Sequence, residues 1–217
     1  FGFQTALGGL LKDPSEKFFY SEIDRQVVHA FARSHINSGG LATSLKPSST
    51  GLVDFQSALA QEKTSVVSWQ ATNREMGAIQ ELPKLEDNHS LFADMTASFP
   101  LNRLPEKWDS ALWDPRSFAG PQGIALIGIS RQSKWRNPGP ELDNRRVFGS
   151  FSKPLLLATA VALENWVKSA AEDFAHLRKL NTFTRELLRS KIKSVRVVGD
   201  DQKNDPRFIA LVLADSV

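Results

Sequence analysis

The sequence contains no cysteine, and its 217 residues include only one tyrosine and two methionines. The lack of cysteine excludes disulfide bonds, thiolate-bound metal ions and a cysteine nucleophile within this sequence. There is also little excess of charge, because 27 basic residues against 24 acidic ones leave a net charge of +3 at pH 7. Such a balance does not by itself indicate a nucleic-acid partner.

Long hydrophobic runs and signal-peptide features are missing too, so we expect a cytoplasmic protein with no membrane contact. The histidines lack the spacing of metal ligands, and we expect no metal site. These histidines are His29, His35, His89 and His176. The basic stretch "RELLRSKIKSVR" (185–196) has no interleaved aromatic residues to stack on bases. It therefore indicates a solvated helix face rather than a nucleic-acid interface.

Helical and strand patterns alternate along the chain, and 41% of the residues are hydrophobic. Helical spacing occurs in 20–35, in 52–61 with Asp54 as the cap, and in 152–192 with a break near Asn181. Strand patterns occur in 40–45, 64–72, 90–95, 109–114, 123–131, 194–200 and 207–215. This alternation predicts an α/β fold with a mostly parallel sheet flanked by helices. In such sheets ligands bind beyond the carboxyl ends of the strands, which is where Asn73 and Asp94 fall.

Three segments carry motifs in a recognisable order. They are "WQATNREMGAIQEL" (69–82), the long stretch from "SLFADM" to "GPQGIALIGI" (90–129), and "RRVFGSFSKPLLLATAVALE" (145–164). "YSEIDRQVV" (20–28) and "FQTALGGLL" (3–11) precede them at matching places. In order and approximate spacing these segments resemble the cysteine desulfurases, which belong to the class V aminotransferase group of pyridoxal-phosphate (PLP) enzymes.

The resemblance implies a PLP-dependent transferase large domain over residues 1–155. It also implies that residues 156–217 form a connecting helix and the start of a small α+β domain at the C-terminal side. Proteins of this group are usually homodimers with the site at the interface, so we expect a homodimer. PLP is the cofactor that the resemblance implies.

Four residues fall on cofactor-binding positions of the group and have suitable chemistry. Asp94 falls on the aspartate at the pyridine nitrogen, and Asn73 on the asparagine near the ring hydroxyl. Ser150 falls on the threonine that reaches a phosphate across the dimer interface. Thr5 falls in the phosphate-binding turn. These four residues are the candidate cofactor-binding set.

The other chemical positions carry substitutions. Ser117 stands at the place of the Schiff-base lysine, and a serine cannot form a Schiff base. Arg25 replaces the ring-stacking histidine and cannot act as a base near neutral pH. Arg116 replaces a second histidine, Asp114 replaces a serine that donates to the phosphate, and Ala97 replaces a glutamine. No catalytic residue can therefore be assigned.

Local roles compete with cofactor roles at several of these positions. Asp94 could cap a following helix, and Asn73 could bind loop backbone. Asp114, followed by proline, could begin a turn and pair with Arg116. Lys153 in "GSFSKP" superficially resembles the lysine motif of another aminotransferase class, but proline follows it directly.

The sequence thus favours a cysteine desulfurase-like protein that has lost Schiff-base catalysis and acts as a non-catalytic scaffold or regulatory partner. An alternative is an active PLP-dependent desulfurase, lyase or aminotransferase that uses another lysine, such as Lys153, Lys134 or Lys84. A second alternative is a protein that binds a small anionic ligand through Arg25 and Arg116 without a cofactor.

Overall fold

The centre of the molecule is a parallel β-sheet whose two middle strands are buried along their whole length. The computed structural model describes residues 1–98, 104–131, 134–139, 152–199 and 203–213. Every residue of the strands Ser65–Gln70 and His89–Asp94 is buried. Strands that are covered on both faces are typical of parallel sheets with helices on each side. The predicted α/β class and mostly parallel sheet are therefore confirmed.

Among the described residues, the main sheet contains six strands, and four helices and a second, two-stranded sheet accompany it. The strands are β1 (Lys17–Ser21), β2 (Ala42–Leu45), β3 (Ser65–Gln70), β4 (His89–Asp94), β5 (Ser110–Trp113), β6 (Leu126–Ile129), β7 (Val195–Val198) and β8 (Ala210–Leu213). The helices are α1 (Gly2–Ala6), α2 (Gln26–Asn37), α3 (Phe55–Leu59) and α4 (Lys153–Lys191). A single 3₁₀ turn covers Pro115–Phe118.

The order of strands in the main sheet is β2-β1-β3-β4-β5-β6. The first five strands are mutually parallel, and β6 pairs antiparallel to β5 at the edge. Gln70 on β3 is the register partner of Asp94 on β4, so these two strands end together. The carboxyl ends of the parallel strands β3, β4 and β5 therefore lie side by side, as the sequence predicts.

Two apolar clusters cover the two faces of the sheet. Side chains alternate between them along a strand: Val66 and Phe92 belong to one cluster, and Val67 and Leu91 to the other. The first cluster is covered by α1 and α2 and includes Leu7, Leu10, Phe18, Val28 and Trp135. The second is covered by α3 and includes Phe19, Phe55, Leu59, Trp69 and Met95. The side chain of Asp54 accepts a hydrogen bond from the Ser57 amide, as expected of the α3 cap.

Helix α4 is continuous over 39 residues, so the predicted break near Asn181 is wrong. The Asn181 side chain points sideways out of the helix. Its amide nitrogen donates to the carbonyl oxygens of Pro206 and Phe208, and its oxygen accepts from Arg185 Nε. Because its nitrogen binds a neighbouring segment and its oxygen binds the Arg185 side chain, these atoms do not compete for the helix backbone.

Strands β7 and β8 form a separate antiparallel pair, and the residues just before β8 return to the main sheet. We name residues 203–208 the strap. The Asn204 side chain donates to the Met76 carbonyl oxygen, and the Asp205 amide donates to that of Gly77. A domain boundary near residue 155 stays a prediction. Within the described ranges, no helix is long and apolar enough to span a bilayer.

We expect Phe92→Ala to lower the free energy of unfolding by about 3–5 kcal/mol, because Phe92 is fully buried at the centre of the sheet. Phe183 on α4 is 62% exposed and provides the matched control, for which we expect a loss under about 1 kcal/mol. Urea unfolding of both variants measures this. Equal losses in the two variants would contradict the position assigned to Phe92 in the core.

Candidate functional site

An open cleft of about 1040 Å³ lies at the carboxyl ends of β4 and β5. One wall is apolar and includes Phe3, Leu112, Trp113, Ile124 and Ile127. The polar side chains that line the cleft are those of Thr5, Arg25, Thr96, Asp114, Arg116, Gln122 and Ser152. An apolar cavity with a few convergent polar groups is the usual form of a small-molecule site.

Asp94 ends β4 and is completely buried behind the cleft. Its Oδ1 accepts hydrogen bonds from the Thr96 amide at 2.9 Å and from Thr96 Oγ1 at 2.6 Å. Its Oδ2 has no hydrogen-bond partner among the described residues. Burial raises the pKa of the Asp94 carboxyl, and the hydrogen bonds from Thr96 oppose that rise. The chain after Asp94 turns at 96–98 rather than starting a helix, so Asp94 does not cap one within the described residues.

Thr96 also positions two arginines. Arg25 Nη1 donates to Thr96 Oγ1 at 2.7 Å, and the Arg25 guanidinium carbon lies 5.5 Å from the centre of the Phe3 ring. Arg74 Nη2 donates to the Thr96 carbonyl oxygen at 2.7 Å. Burial and the charge of Arg25 lower the pKa of the Arg74 guanidinium, although it stays protonated at any physiological pH.

Asp24 is a second buried carboxyl at this edge of the sheet, at the turn between β1 and α2. Its Oδ2 accepts a hydrogen bond from the Ser21 amide at 3.0 Å. Burial is the main reason that the pKa of Asp24 rises to about 7, and the nearby charge of Asp94 adds to that rise. The proton occupancy of Asp24 therefore changes around neutral pH.

Ser117 lies in the 3₁₀ turn, and both its hydroxyl and its carbonyl oxygen are hydrogen-bonded within the protein. Its hydroxyl donates to the Asp114 carbonyl oxygen at 2.7 Å. Its own carbonyl oxygen accepts a hydrogen bond from Arg207 Nη1 of the strap at 3.2 Å. Ser117 is not among the residues that line the cleft.

Asp114 and Arg116 form a tight ion pair at the mouth of the cleft, as the local reading of the sequence predicts. Arg116 Nη2 lies 2.5 Å from Asp114 Oδ2, and Arg116 Nε lies 3.0 Å from Oδ1. Burial alone would raise the pKa of the Asp114 carboxyl, but the hydrogen bonds and charge of Arg116, aided by Arg74, hold it below its usual value. The charge of Arg116 is therefore already compensated within the protein.

The Asn73 side chain has the local structural role that the sequence offered. Hydrogen bonds within the protein use all of its donors and acceptors. Its side-chain nitrogen donates to the Ile23 carbonyl oxygen and to Gln70 Oε1. Its side-chain oxygen accepts from the amides of Glu75 and Met76. An amide has two donor hydrogens and two acceptor sites, so a further partner would have to displace one of these.

The remaining sequence-predicted residues are less informative. Thr5 lies on helix α1 rather than in a turn, although it does line the cleft. Ala97 is buried next to Thr96. Ser150 falls outside the described residues. The structure thus brings Arg25 and Asp94 together around Thr96, and Thr5 lines the same cleft.

The lysines and histidines are used elsewhere or are exposed. Lys153 begins α4 with an exposed side chain, Lys84 is exposed in a loop, and Lys134 donates to backbone carbonyl oxygens at the opposite, amino end of β4. His89 Nδ1 pairs with Ser65 Oγ at 2.8 Å, also at that end, and both side chains are buried. In the part of the chain that the structure describes, no group of histidine and acidic side chains is arranged to hold a metal ion.

No protein-family model matches this sequence, and no curated protein sequence matches it either. Solved structures do match. The first is a structure described as a NIFS-like protein, with a TM-score of 0.78, 18% identity and 93% of this chain covered. The chain has the fold of the NifS-like cysteine desulfurases.

Two further matches agree with this assignment of the fold. DndA from Streptomyces lividans has a TM-score of 0.75 at 18% identity over 88% of this chain. A NifS-like protein from Rickettsia africae ESF-5 has a TM-score of 0.71 at 19% identity over 94%. The chain spans 60%, 58% and 59% of the three matched structures, respectively. At these identities the likeness defines the fold, and activity has to be argued from the residues present.

The residues of this cleft do not fit PLP held covalently, which is the cofactor that the fold family implies. The unpartnered Oδ2 of Asp94 is the one atom that suits a protonated ring nitrogen. Against this, Asp94 lies behind Thr96, and the Asp114 carboxylate that lines the cleft supplies no hydrogen-bond donor to a phosphate. No lysine side chain is among the described residues that line the cleft.

Sequence reasoning missed several residues that organise this site. Thr96, Arg74 and Asp24 each lie one or two positions from a residue that it had selected, so proximity in sequence was the available signal. Arg207 gave no such signal, because its contacts with Ser117 and Ala97 span 90 and 110 residues.

We expect Asp24 to make stability depend on pH between 4 and 8. Since its pKa is about 7 in the folded chain and 3.8 without burial, the folded state keeps a proton that the unfolded state has released. Stability therefore falls as pH rises from 4 to 7, by as much as about 4 kcal/mol, and levels off above that. Asp24→Asn removes this contribution, so the free energies of unfolding of wild type and variant, measured in urea, should differ most steeply with pH in that window.

Asp54→Asn is the control for this experiment. The pKa of Asp54 is lowered by its hydrogen bonds to Ser57, so its carboxylate is ionised in both states above pH 5. The difference between wild type and this variant should be flat from pH 5 to 8. A flat difference for Asp24→Asn as well would overturn the assignment.

Proposed function

We propose that this chain is a cysteine desulfurase-like domain that has lost Schiff-base catalysis and acts as a non-catalytic binding or regulatory module. The observation that carries the proposal is the 3₁₀ turn at Ser117. The residue at the lysine position has a hydroxyl that donates to the Asp114 backbone, and it does not line the cleft. The cleft itself stays open at about 1040 Å³, so it retains room for a ligand.

The substituted charges support the same proposal. A guanidinium has no acceptor atom and is no general base near neutral pH, so Arg25 cannot replace a histidine in moving protons. By the resemblance, Asp114 replaces a serine that donates to a phosphate, and its carboxylate is paired with Arg116 instead. Both changes remove chemistry and leave a charged cleft. Binding therefore remains as the function, and a cytoplasmic location belongs to the same proposal.

Incubation with PLP followed by borohydride reduction tests the loss of catalysis. We expect no visible Schiff-base band and no stoichiometric gain in intact mass, because no lysine among the described residues lines the cleft. Adventitious labelling would spread over exposed lysines and would be the same in a Lys153→Arg variant. One full equivalent on a single lysine, lost when that lysine is replaced by arginine, would instead establish the active PLP enzyme.

We also propose that the chain forms a homodimer. Helix α4 exposes large apolar side chains one turn apart, Leu157 at 68% and Val161 at 56%. Neighbouring exposed apolar side chains are typical of association sites. Sedimentation equilibrium at micromolar concentration should give twice the mass of the chain. A single-chain mass at every concentration would refute the dimer and leave the proposed loss of catalysis untouched.

A further inference from the structure

Arg25 differs from the other arginine that lines the cleft. Arg116 is neutralised by Asp114 at 2.5 Å. Arg25 has no carboxylate within ion-pair distance in the described ranges, and its hydrogen bond to protein goes to the neutral hydroxyl of Thr96. A guanidinium has five N–H donors, so most of those of Arg25 stay available to a ligand. Arg25 is therefore the cation with which the cleft can bind an anion.

The orientation of Arg25 is fixed before any ligand arrives. Phe3 lies against its guanidinium, and Thr96 Oγ1 accepts from one of its nitrogens. Thr96 is fixed in turn, because its hydroxyl donates to the buried Asp94 carboxylate. A preoriented guanidinium favours the planar, two-oxygen geometry of a carboxylate.

The remaining walls define the rest of the ligand. Leu112, Trp113, Ile124 and Ile127 supply apolar surface beside Arg25 in the same cleft. Asp114 also lines the cleft, but its charge is paired with that of Arg116, so Arg25 is the one charged side chain of the described lining that has no counter-charge at ion-pair distance. A single negative charge on the ligand matches Arg25, and a second one would be desolvated in the cleft with no cation left to pair with it. The walls therefore select one anionic group on an apolar body.

We propose that the cleft binds a small monocarboxylate with an apolar or aromatic body, and that Arg25 holds the carboxylate in a two-point contact. The proposal rests on the proposed function, because a covalently held cofactor would fill the same cleft. It modifies the expectation from the sequence that Arg25 and Arg116 act together, since Arg116 is committed to Asp114.

Isothermal titration of the full chain with benzoate tests this proposal, with benzyl alcohol and phenyl phosphate as comparison probes. We expect benzoate to bind, and both benzyl alcohol and phenyl phosphate to bind at least about tenfold more weakly. Arg25→Gln should weaken benzoate binding by about tenfold or more, the usual effect of losing a charge-assisted pair. Arg33→Gln removes the same charge from an exposed position on α2, the helix that follows Arg25, and should change binding by less than about threefold.

Circular dichroism and thermal midpoints identify any variant that fails to fold, and Arg25→Lys then replaces Arg25→Gln, because it keeps the charge and loses the two-point contact. No benzoate binding at millimolar concentration, equal binding by the alcohol, tighter binding by phenyl phosphate, or an Arg25 variant equal to wild type would each overturn the proposal. The titration uses protein free of PLP. A Schiff-base band in the separate reduction experiment would overturn only the loss of catalysis.

Discussion

The hydrogen bonds between Thr96 and Asp94 are the interaction on which the rest of the site depends. They satisfy one oxygen of a carboxyl that is completely buried at the end of the central strand. They also fix Thr96, whose hydroxyl then accepts from Arg25 and whose carbonyl oxygen accepts from Arg74. A single threonine thus links a buried acid to two cations at the edge of the cleft. Because buried polar groups are costly when unpaired, this arrangement leaves little freedom for any of its members.

Most of the fold could be predicted from the sequence, because strands that are buried in a sheet need apolar side chains. Short apolar runs in the sequence predict strands at the places of β3, β4, β5 and β6, and the structure has strands there. The strand β1 was missed, although its "KFFYS" carries the aromatic residues that favour strands, because it is brief and follows a charged loop. The break near Asn181 was wrong because the side chain of that residue binds the strap, a tertiary contact that no local pattern reveals.

The candidate site was accessible only in part. Arg25, Asp94, Asp114 and Thr5 were selected from motif positions, and the structure places all four in or beside the cleft. The pairing of Asp114 with Arg116 was one of the local roles that the sequence offered, because the two residues are close in the chain. The protonation of Asp24 was not accessible, since it depends on burial by distant segments. Charge compensation and desolvation arise from three-dimensional packing, so sequence position alone does not determine them.

The position of the strap in the sequence determines when its hydrogen bonds can form during synthesis. The strap follows α4 and β7 in the chain. The Arg207 side chain donates to the carbonyl oxygens of Ser117 and Ala97, and the Asn204 side chain donates to that of Met76. A ribosome releases the main sheet well before it releases residues 203–208. The sheet can therefore assemble first, while the turn behind the cleft acquires its hydrogen bonds from the strap only after residues 203–208 have left the ribosome. A nascent chain that stops late in α4 would contain every described residue that lines the cleft and would still lack the hydrogen bonds from the strap.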